Sequence, residues 1–529
     1  MIFSKNSSSQ SSMSGSLRFC IVLRIVYTRF VLFNIVVGKG LLMGCGRLGF
    51  LHNSSTAFND LSNHGKLPSY MIKKITIAAL LGFPLIFLSC GQSSEVRPFS
   101  LGKAQSPVKY PELDIDNELY SSLSEKDLFL KGRSKIAHVS DVHHYARSLY
   151  DPASAGFEEF SRNNEGRTVL YTTEMMEILK ADLLSRGVST LLLSGDLSVL
   201  GTRATHEEMA DILGGFEDDG IHVFITTGNH DINNPRAFRI VGSGTESVPS
   251  VTPEEFREIY EDFGFNEALL NDPTSLSYLV ALEDDVLLLS LDSSYYQDNY
   301  HWGYSVARGG FNPEQYDFVL EALKRAEGKR VIMMSHHNLL RHYEIGLDLS
   351  NFMVNDENRM LNLLMDHGVK IGLSGHIHKS DIKEYLRGDN SFYGLTTGSL
   401  QIYPHSYRLI GWDDEELYIS TADLRDNMLR DGQQAILNYN RDIGIARSYT
   451  GRYERLLEDA SEEDARLMAE YFFLVNLYAQ QGLEAYLPSS ILQSGGLELL
   501  MASGNRMSGF ARSLPLDSYP DDRNFRLKW

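Results

Sequence analysis

Cysteine is scarce in this chain: its 529 residues contain three, Cys20, Cys45 and Cys90. None follows residue 90, so the rest of the chain has neither a disulfide framework nor a thiolate metal site. Positive charge is also in short supply, with 49 Lys and Arg against 69 Asp and Glu and a net charge of −20. The first 90 residues hold nine of those bases and one acid, which leaves 40 bases, 68 acids and a net −28 for the remainder. A body that acidic repels phosphate backbones, so nucleic acid is not an expected partner. No internal repeat is evident. What is present is ordinary globular composition, 43% hydrophobic and 22% charged, which excludes wholesale disorder. The length suits roughly two to four domains.

The N-terminal region carries its own pattern. Met71 is followed by Lys73 and Lys74, an apolar stretch from Ile75 to Ser89, and then Cys90. A positive start, a short apolar run and a small residue at its end describe a signal peptide, and the run is shorter than the ~20 residues of a spanning helix. With Leu88-Ser89-Cys90-Gly91 at its end, the segment resembles a bacterial lipoprotein signal, which implies lipidation at Cys90. Membrane attachment through that lipid anchor, at a periplasmic or cell-surface location, follows as an expectation. A signal inside a chain is not read normally, so Met71 is the expected start and residues 1–70 a non-native upstream extension. Their apolar segment, 19–43, is broken by Arg24, Arg29 and Lys39, each costly inside a bilayer. Residues 91–131, polar and carrying Pro98, Pro107 and Pro111, read as a tether.

From residue 132 the hydrophobic pattern alternates between strand and helix. Strands are expected at 135–140, 189–194, 222–227, 285–291, 330–335, 369–374, 392–396 and 416–422. Helices are expected at 168–185, 204–218, 313–327 and 357–368. Such alternation implies a layered α/β core with largely buried strands over 132–423. Residues 424–529 read as a mainly helical region, with a helix at 465–479 and an irregular end.

Five core strands end in polar residues of metal-ligating type. They are Asp141-Val142-His143, Gly195-Asp196, Gly228-Asn229-His230-Asp231, His336-His337-Asn338 and Gly375-His376-Ile377-His378. Singly, a G-D or an H-x-H is what turns and surfaces often contain. Together, each at a strand end, they point to one crevice, because ligands of open α/β folds bind beyond the carboxyl ends of strands. Carboxylates, an amide and imidazoles without sulfur suit two divalent ions such as Mn, Fe or Zn.

In these motifs the sequence resembles the calcineurin-like metallophosphoesterases, whose series D-x-H, G-D, G-N-H-[DE], H and G-H-x-H it repeats in order over residues 133–423. The resemblance implies a layered metallophosphoesterase β-sandwich flanked by helices. It also implies that Asp141, His143 and His378 bind a first metal, that Asn229, His336 and His376 bind a second, and that Asp196 bridges them. A hydroxide shared by the pair is then the nucleophile, with His230 as general acid and Asp231 orienting its ring. His337 is open between a supporting and a substrate-facing place. His206 and His405 are the remaining histidines most apt to reach a substrate. Val199 occupies the position where purple acid phosphatases carry a metal-bound tyrosine, so no purple charge-transfer band is expected.

The expected activity is hydrolysis of a phosphodiester or small phosphate ester outside the cytoplasm. A DNA-repair-type nuclease and a non-catalytic extracellular metal-binding protein are the alternatives.

Overall fold

Strands made almost wholly of Leu, Ile, Val and Met have no polar face to give to water, and the chain stacks them into two sheets around a shared core. The computed structural model describes residues 128–529, apart from 165, 344–352, 446–448, 506 and 517–518. The 1–70 extension, the 71–90 signal, Cys90 and the tether up to residue 127 lie outside the described residues.

The strands are β1 (Ser134–Val139), β2 (Thr190–Leu193), β3 (His222–Ile225), β4 (Phe238–Val241), β5 (Gly244–Ser247), β6 (Leu270–Asn271), β7 (Tyr278–Ala281) and β8 (Val286–Leu291). They continue as β9 (Arg330–Ser335), β10 (Ile371–Ser374), β11 (Asp381–Arg387), β12 (Asn390–Thr396), β13 (Ser406–Trp412), β14 (Glu416–Asp423) and β15 (Asn524–Lys528). One sheet runs β15-β14-β13-β1-β2-β3 and the other β11-β12-β10-β9-β8-β7-β6, while β4 and β5 form a separate hairpin. Within the first sheet β1, β2 and β3 are parallel, with Ile136 opposite Thr190 and Thr190 opposite His222. Within the second, β8, β9, β10 and β12 are parallel. Ile136, Leu191 and Val223 from the first sheet share a core with Val280, Leu288, Ile332 and Leu373 from the second.

The principal helices are α1 (Thr172–Arg186), α2 (Arg203–Asp218), α3 (Pro313–Arg325), α4 (Glu357–Asp366) and α5 (Glu462–Gln481). Their ends are written locally. Thr202 caps α2 by accepting from Thr205 N, and Asn312 and Gln315 form a capping box with Pro313 at the first turn of α3. Gly187 and Gly482 take left-handed conformations that stop α1 and α5. The outer face of the second sheet is covered by α3 and α4 through Val319, Leu323, Leu361 and Leu364.

Three differences from the sequence expectations have physical causes. The last residues of the expected tether, Leu128–Lys131, form a turn whose Phe129 is buried in the core, so the folded domain begins before residue 132. The 424–529 region is helical but also supplies β15, which pairs with β14. Its helix α5 docks on the sheets through the Ser380 N–H, which donates to the Ala479 carbonyl at 3.0 Å. Strands β11 and β13 were not expected, because Lys383, Glu384 and Arg408 interrupt their apolar pattern.

Candidate metal centre

Parallel strands send their carboxyl ends to the same side, and all five polar segments follow such ends: Asp141 after β1, Asp196 after β2, Asn229 after β3, His336 after β9 and His376 after β10. The backbone there is strained. Asp141, His143, Asp196, His376 and His378 all have positive φ, from 43° to 71°, a left-handed region that costs a non-glycine residue about 1–3 kcal/mol. Glycine is required where the segments touch. A Cβ on Gly228 would stand 2.1 Å from Asp196 N, and one on Gly375 would stand 1.7 Å from Ser140 Oγ.

The seven expected ligand residues come together around one carboxylate oxygen. Asp196 Oδ2 lies 3.4 Å from His336 Nε2 and 3.7 Å from His143 Nε2. On one side, His143 Nε2 is 3.3 Å from His378 Nε2, which is 3.2 Å from Asp141 Oδ1. On the other, His336 Nε2 is 3.2 Å from Asn229 Oδ1 and 3.1 Å from His376 Nδ1. Except for partly exposed His378, these residues are buried.

Surrounding bonds aim the donors. Ser140 Oγ donates to Asp141 Oδ2 at 2.6 Å, and the His376 N–H donates to the same oxygen at 2.9 Å. The Ser399 hydroxyl donates to the Asp141 carbonyl at 2.8 Å. His336 donates from Nδ1 to the Ser194 carbonyl at 2.8 Å, which directs Nε2 toward Asn229 and His376. Ser140, Ser194 and Ser399 were not anticipated; Ser140 directly precedes its motif, but a lone serine before D-x-H carries no recognisable signal.

The arrangement suits cations. Asp141 Oδ1 is buried with no hydrogen-bond partner, a costly state for an anion unless a positive charge meets it. Burial pushes Asp141 and Asp196 upward, but His378 beside the first and His336 beside the second hold both below the usual carboxylate range. Burial pulls His336 down, yet the Asp196 and Asp141 carboxylates outweigh it and lift it to about 9. The pocket thus attracts positive charge. Asp141, His143 and His378 form one group with ligand atoms within 4.8 Å of one another, and Asp141, Asp196 and His336 form another.

His337 also lies near His336 and His376. Its Nδ1 meets Ser293 Oγ at 2.9 Å and its Nε2 meets the Ala307 carbonyl at 3.2 Å, so both nitrogens support neighbouring loops. Two expectations fail outright. His206 is buried, with Nδ1 on the Tyr260 hydroxyl at 2.9 Å and Nε2 on the Asp231 carbonyl at 2.8 Å. His405 is buried between the Leu400 carbonyl at 2.8 Å and Asn440 Nδ2 at 3.0 Å. Neither reaches a substrate, because each spends both ring nitrogens inside the core.

Asp231 also departs from its expected place. Its carboxylate accepts from the backbone N–H groups of Leu197 at 3.2 Å, Ser198 at 2.9 Å and Gly228 at 2.8 Å, and from the Ser198 hydroxyl at 3.1 Å. It therefore ties the Asp196 and Asn229 loops together. The ring of His230 is oriented by the Val199 carbonyl, 2.8 Å from Nδ1, and its Nε2 lies 3.9 Å from Asp196 Oδ2. The His230 side chain keeps 26% of its surface exposed, so it lines the open side of the cluster.

Residues 134–380 match the profile of a family described as calcineurin-like phosphoesterase. No curated protein matches the sequence. Among solved structures the chain is similar to a dimetal phosphatase from Danio rerio, at 12% identity and a TM-score of 0.40, over 55% of this chain and 97% of that one. It is also similar to a purple acid phosphatase from yellow lupin (Lupinus luteus) seeds, at 11% identity and a TM-score of 0.36, over 56% of this chain and 52% of that one.

Proposed function

We propose that the chain, which carries a calcineurin-like phosphoesterase domain at 134–380 and with it the standing of a phosphoric-ester hydrolase, cleaves a phosphodiester or a small phosphate ester at a two-metal centre. The observation that carries this reading is the meeting of two donor sets at Asp196 Oδ2, with His336 Nε2 at 3.4 Å and His143 Nε2 at 3.7 Å. In this reading Asp141, His143 and His378 would hold one divalent ion and Asn229, His336 and His376 the other, with Asp196 within reach of both sets. Mn, Fe and Zn all suit these donors. When bound, such a pair supplies Lewis acidity toward phosphoryl oxygens and makes water nucleophilic near neutral pH.

The protein's own part is positioning and proton transfer. Asn229 contributes a neutral oxygen, which limits the negative charge of the site. His230, held at Nδ1 by Val199, presents Nε2 to the oxygen that leaves phosphorus and gives it a proton. Asp231 keeps the two loops in register and has no direct part in the chemistry.

The lipoprotein-like segment 71–90 supports action outside the cytoplasm, tethered through Cys90. Among the described residues no helix is long and apolar enough to cross a membrane.

The test is a rate panel of p-nitrophenyl phosphate against bis-p-nitrophenyl phosphate with Mn, Zn and Fe. Metal-dependent turnover of either ester is expected, and the ratio assigns the ester type. Turnover of neither supports a non-catalytic metal-binding protein, and cleavage of double-stranded DNA at physiological salt supports a nuclease. Full activity of metal-loaded Asp196→Ala or Asn229→Ala refutes the mechanism.

A further inference from the structure

One loop beside the metal centre leaves its aromatic side chains uncovered. Tyr300, Trp302 and Tyr304 are 59%, 43% and 43% exposed. Among the described residues, only Tyr519 is a comparably exposed Phe, Trp or Tyr outside this loop. Scattered surface aromatics are common, but three within five residues form a patch.

The loop is strapped to the segment that carries Asn229 and His230. Asn299, at the start of the one-turn helix Asn299–Trp302, is buried. It donates from Nδ2 to the Ile232 carbonyl at 3.1 Å and accepts at Oδ1 from Val306 N at 2.7 Å. The Ser305 hydroxyl donates to the Asn229 carbonyl. Gly303, at φ 71°, reverses the chain after the helical turn, and its carbonyl accepts from Arg236 Nε at 3.2 Å. The Arg236 guanidinium lies 5.7 Å from the centre of the Tyr304 ring. Tyr304 therefore begins one peptide, about 3.8 Å, from the residue that touches Asn229.

The direction of the reaction gives this patch a use. If His230 protonates the leaving oxygen, as in the reading above on which this inference rests, the departing group lies on the side of the 229–236 segment, where the strap is fastened. We propose that Tyr300, Trp302 and Tyr304 form an aromatic rim that selects esters whose leaving group carries a flat aromatic ring. Aromatic faces stack on such rings in offset or edge-on geometry and gain little from a short alkyl chain. The shared chemistry is the π-face, which an aryl alcohol and a nucleoside both offer.

The experiment compares phenyl phosphate, a nucleoside monophosphate and ethyl phosphate on the full-length, Mn-loaded protein. Trp302→Ala is expected to lower the ratio of kcat/KM for phenyl over ethyl phosphate by about 5- to 10-fold, and Trp302→Phe to restore it. A matching drop in the nucleotide-to-ethyl ratio assigns the rim to nucleosides as well; an unchanged nucleotide ratio restricts it to aryl esters.

Binding is read separately. Phenylphosphonate is expected to quench tryptophan fluorescence where methylphosphonate does not, and the difference is expected to vanish in Trp302→Phe, since Trp412 is buried in the core and Trp529 sits beside Arg330, at the amino end of β9 whose carboxyl end leads to His336. Equal losses for phenyl and ethyl phosphate, or equal quenching by both phosphonates, overturn the proposal. Protein inert toward every ester with Mn, Zn and Fe overturns the hydrolytic reading instead, and the phosphonate titration then decides the rim by itself.

Discussion

The His230 imidazole donates from Nδ1 to the carbonyl of Val199 at 2.8 Å, and this bond, rather than one to the adjacent Asp231, sets the angle of the ring. The two neighbours should therefore fail differently. His230→Ala is expected to lower kcat by about 100-fold or more, most for esters with poor leaving groups, while the urea midpoint stays near wild type. Asp231→Ala strips the acceptor from three buried backbone N–H groups and is expected to cost about 2–4 kcal/mol of stability. Rates measured beside urea unfolding separate the two. A His230→Ala protein as unstable as Asp231→Ala contradicts the division.

Removal of metal should weaken the fold. The Asp141 and Asp196 carboxylates are buried, and Asp141 Oδ1 has no hydrogen bond. Protein saturated to about 100 times Kd should gain about 2.7 kcal/mol over the chelated form, seen as a rise in Tm that Mn or Zn restores after chelator is removed. Asp141→Asn should reduce that rise. Identical melting with and without metal tells against a resident pair.

Acid should destabilise the protein over a defined window. His206 and His405 are buried and neutral, burial lowering both from 6.5 to about 4. Unfolded histidine takes up its proton near 6.5. Between those values the unfolded chain binds more protons, so this contribution is fully present above pH ~6.5 and is lost as pH falls toward ~4. The loss should be on the order of 3 kcal/mol for each histidine. Urea midpoints across the window should fall less steeply in His405→Gln than in wild type; parallel profiles exclude His405 as a source.

The C-terminal region should unfold with the sheets. Arg523, just before β15, pairs with Asp423 Oδ2 at 3.0 Å and donates to the carbonyls of Gln481 and Thr421, each at 2.9 Å. Arg523→Met strands a buried carboxylate and is expected to cost about 3–5 kcal/mol. A single unfolding transition, seen alike by far-ultraviolet circular dichroism and tryptophan fluorescence, is the expected form. Separate transitions mean that the helical region folds independently.

Much of this was legible because two sequence signals are local. Strands buried on both faces need runs such as TLLL at 190–193, and helices α2 and α3 show themselves by apolar residues at helical spacing. Strand β13 was hidden by Arg408, a cation in a fully buried strand. Its charge is satisfied by the Thr421 hydroxyl and by the carbonyls of Asp522 and Thr396, partners that only folding brings near. Strand β15 was hidden for a related reason: a short, half-exposed edge strand contributes too few apolar positions to stand out from a polar tail.

Sequence alone determined which residues gather at the candidate metal centre, because ligand chemistry restricts the side-chain types and apolar strands restrict where the chain can turn. Tertiary structure decided what each polar neighbour does there. Whether Asp231 holds a ring or a loop, whether His206 and His405 meet solvent or core, and which carbonyl aims His336 depend on atoms from a few to more than a hundred residues away. Hydrogen bonds act over about 3 Å, and separation along the chain carries no record of that distance.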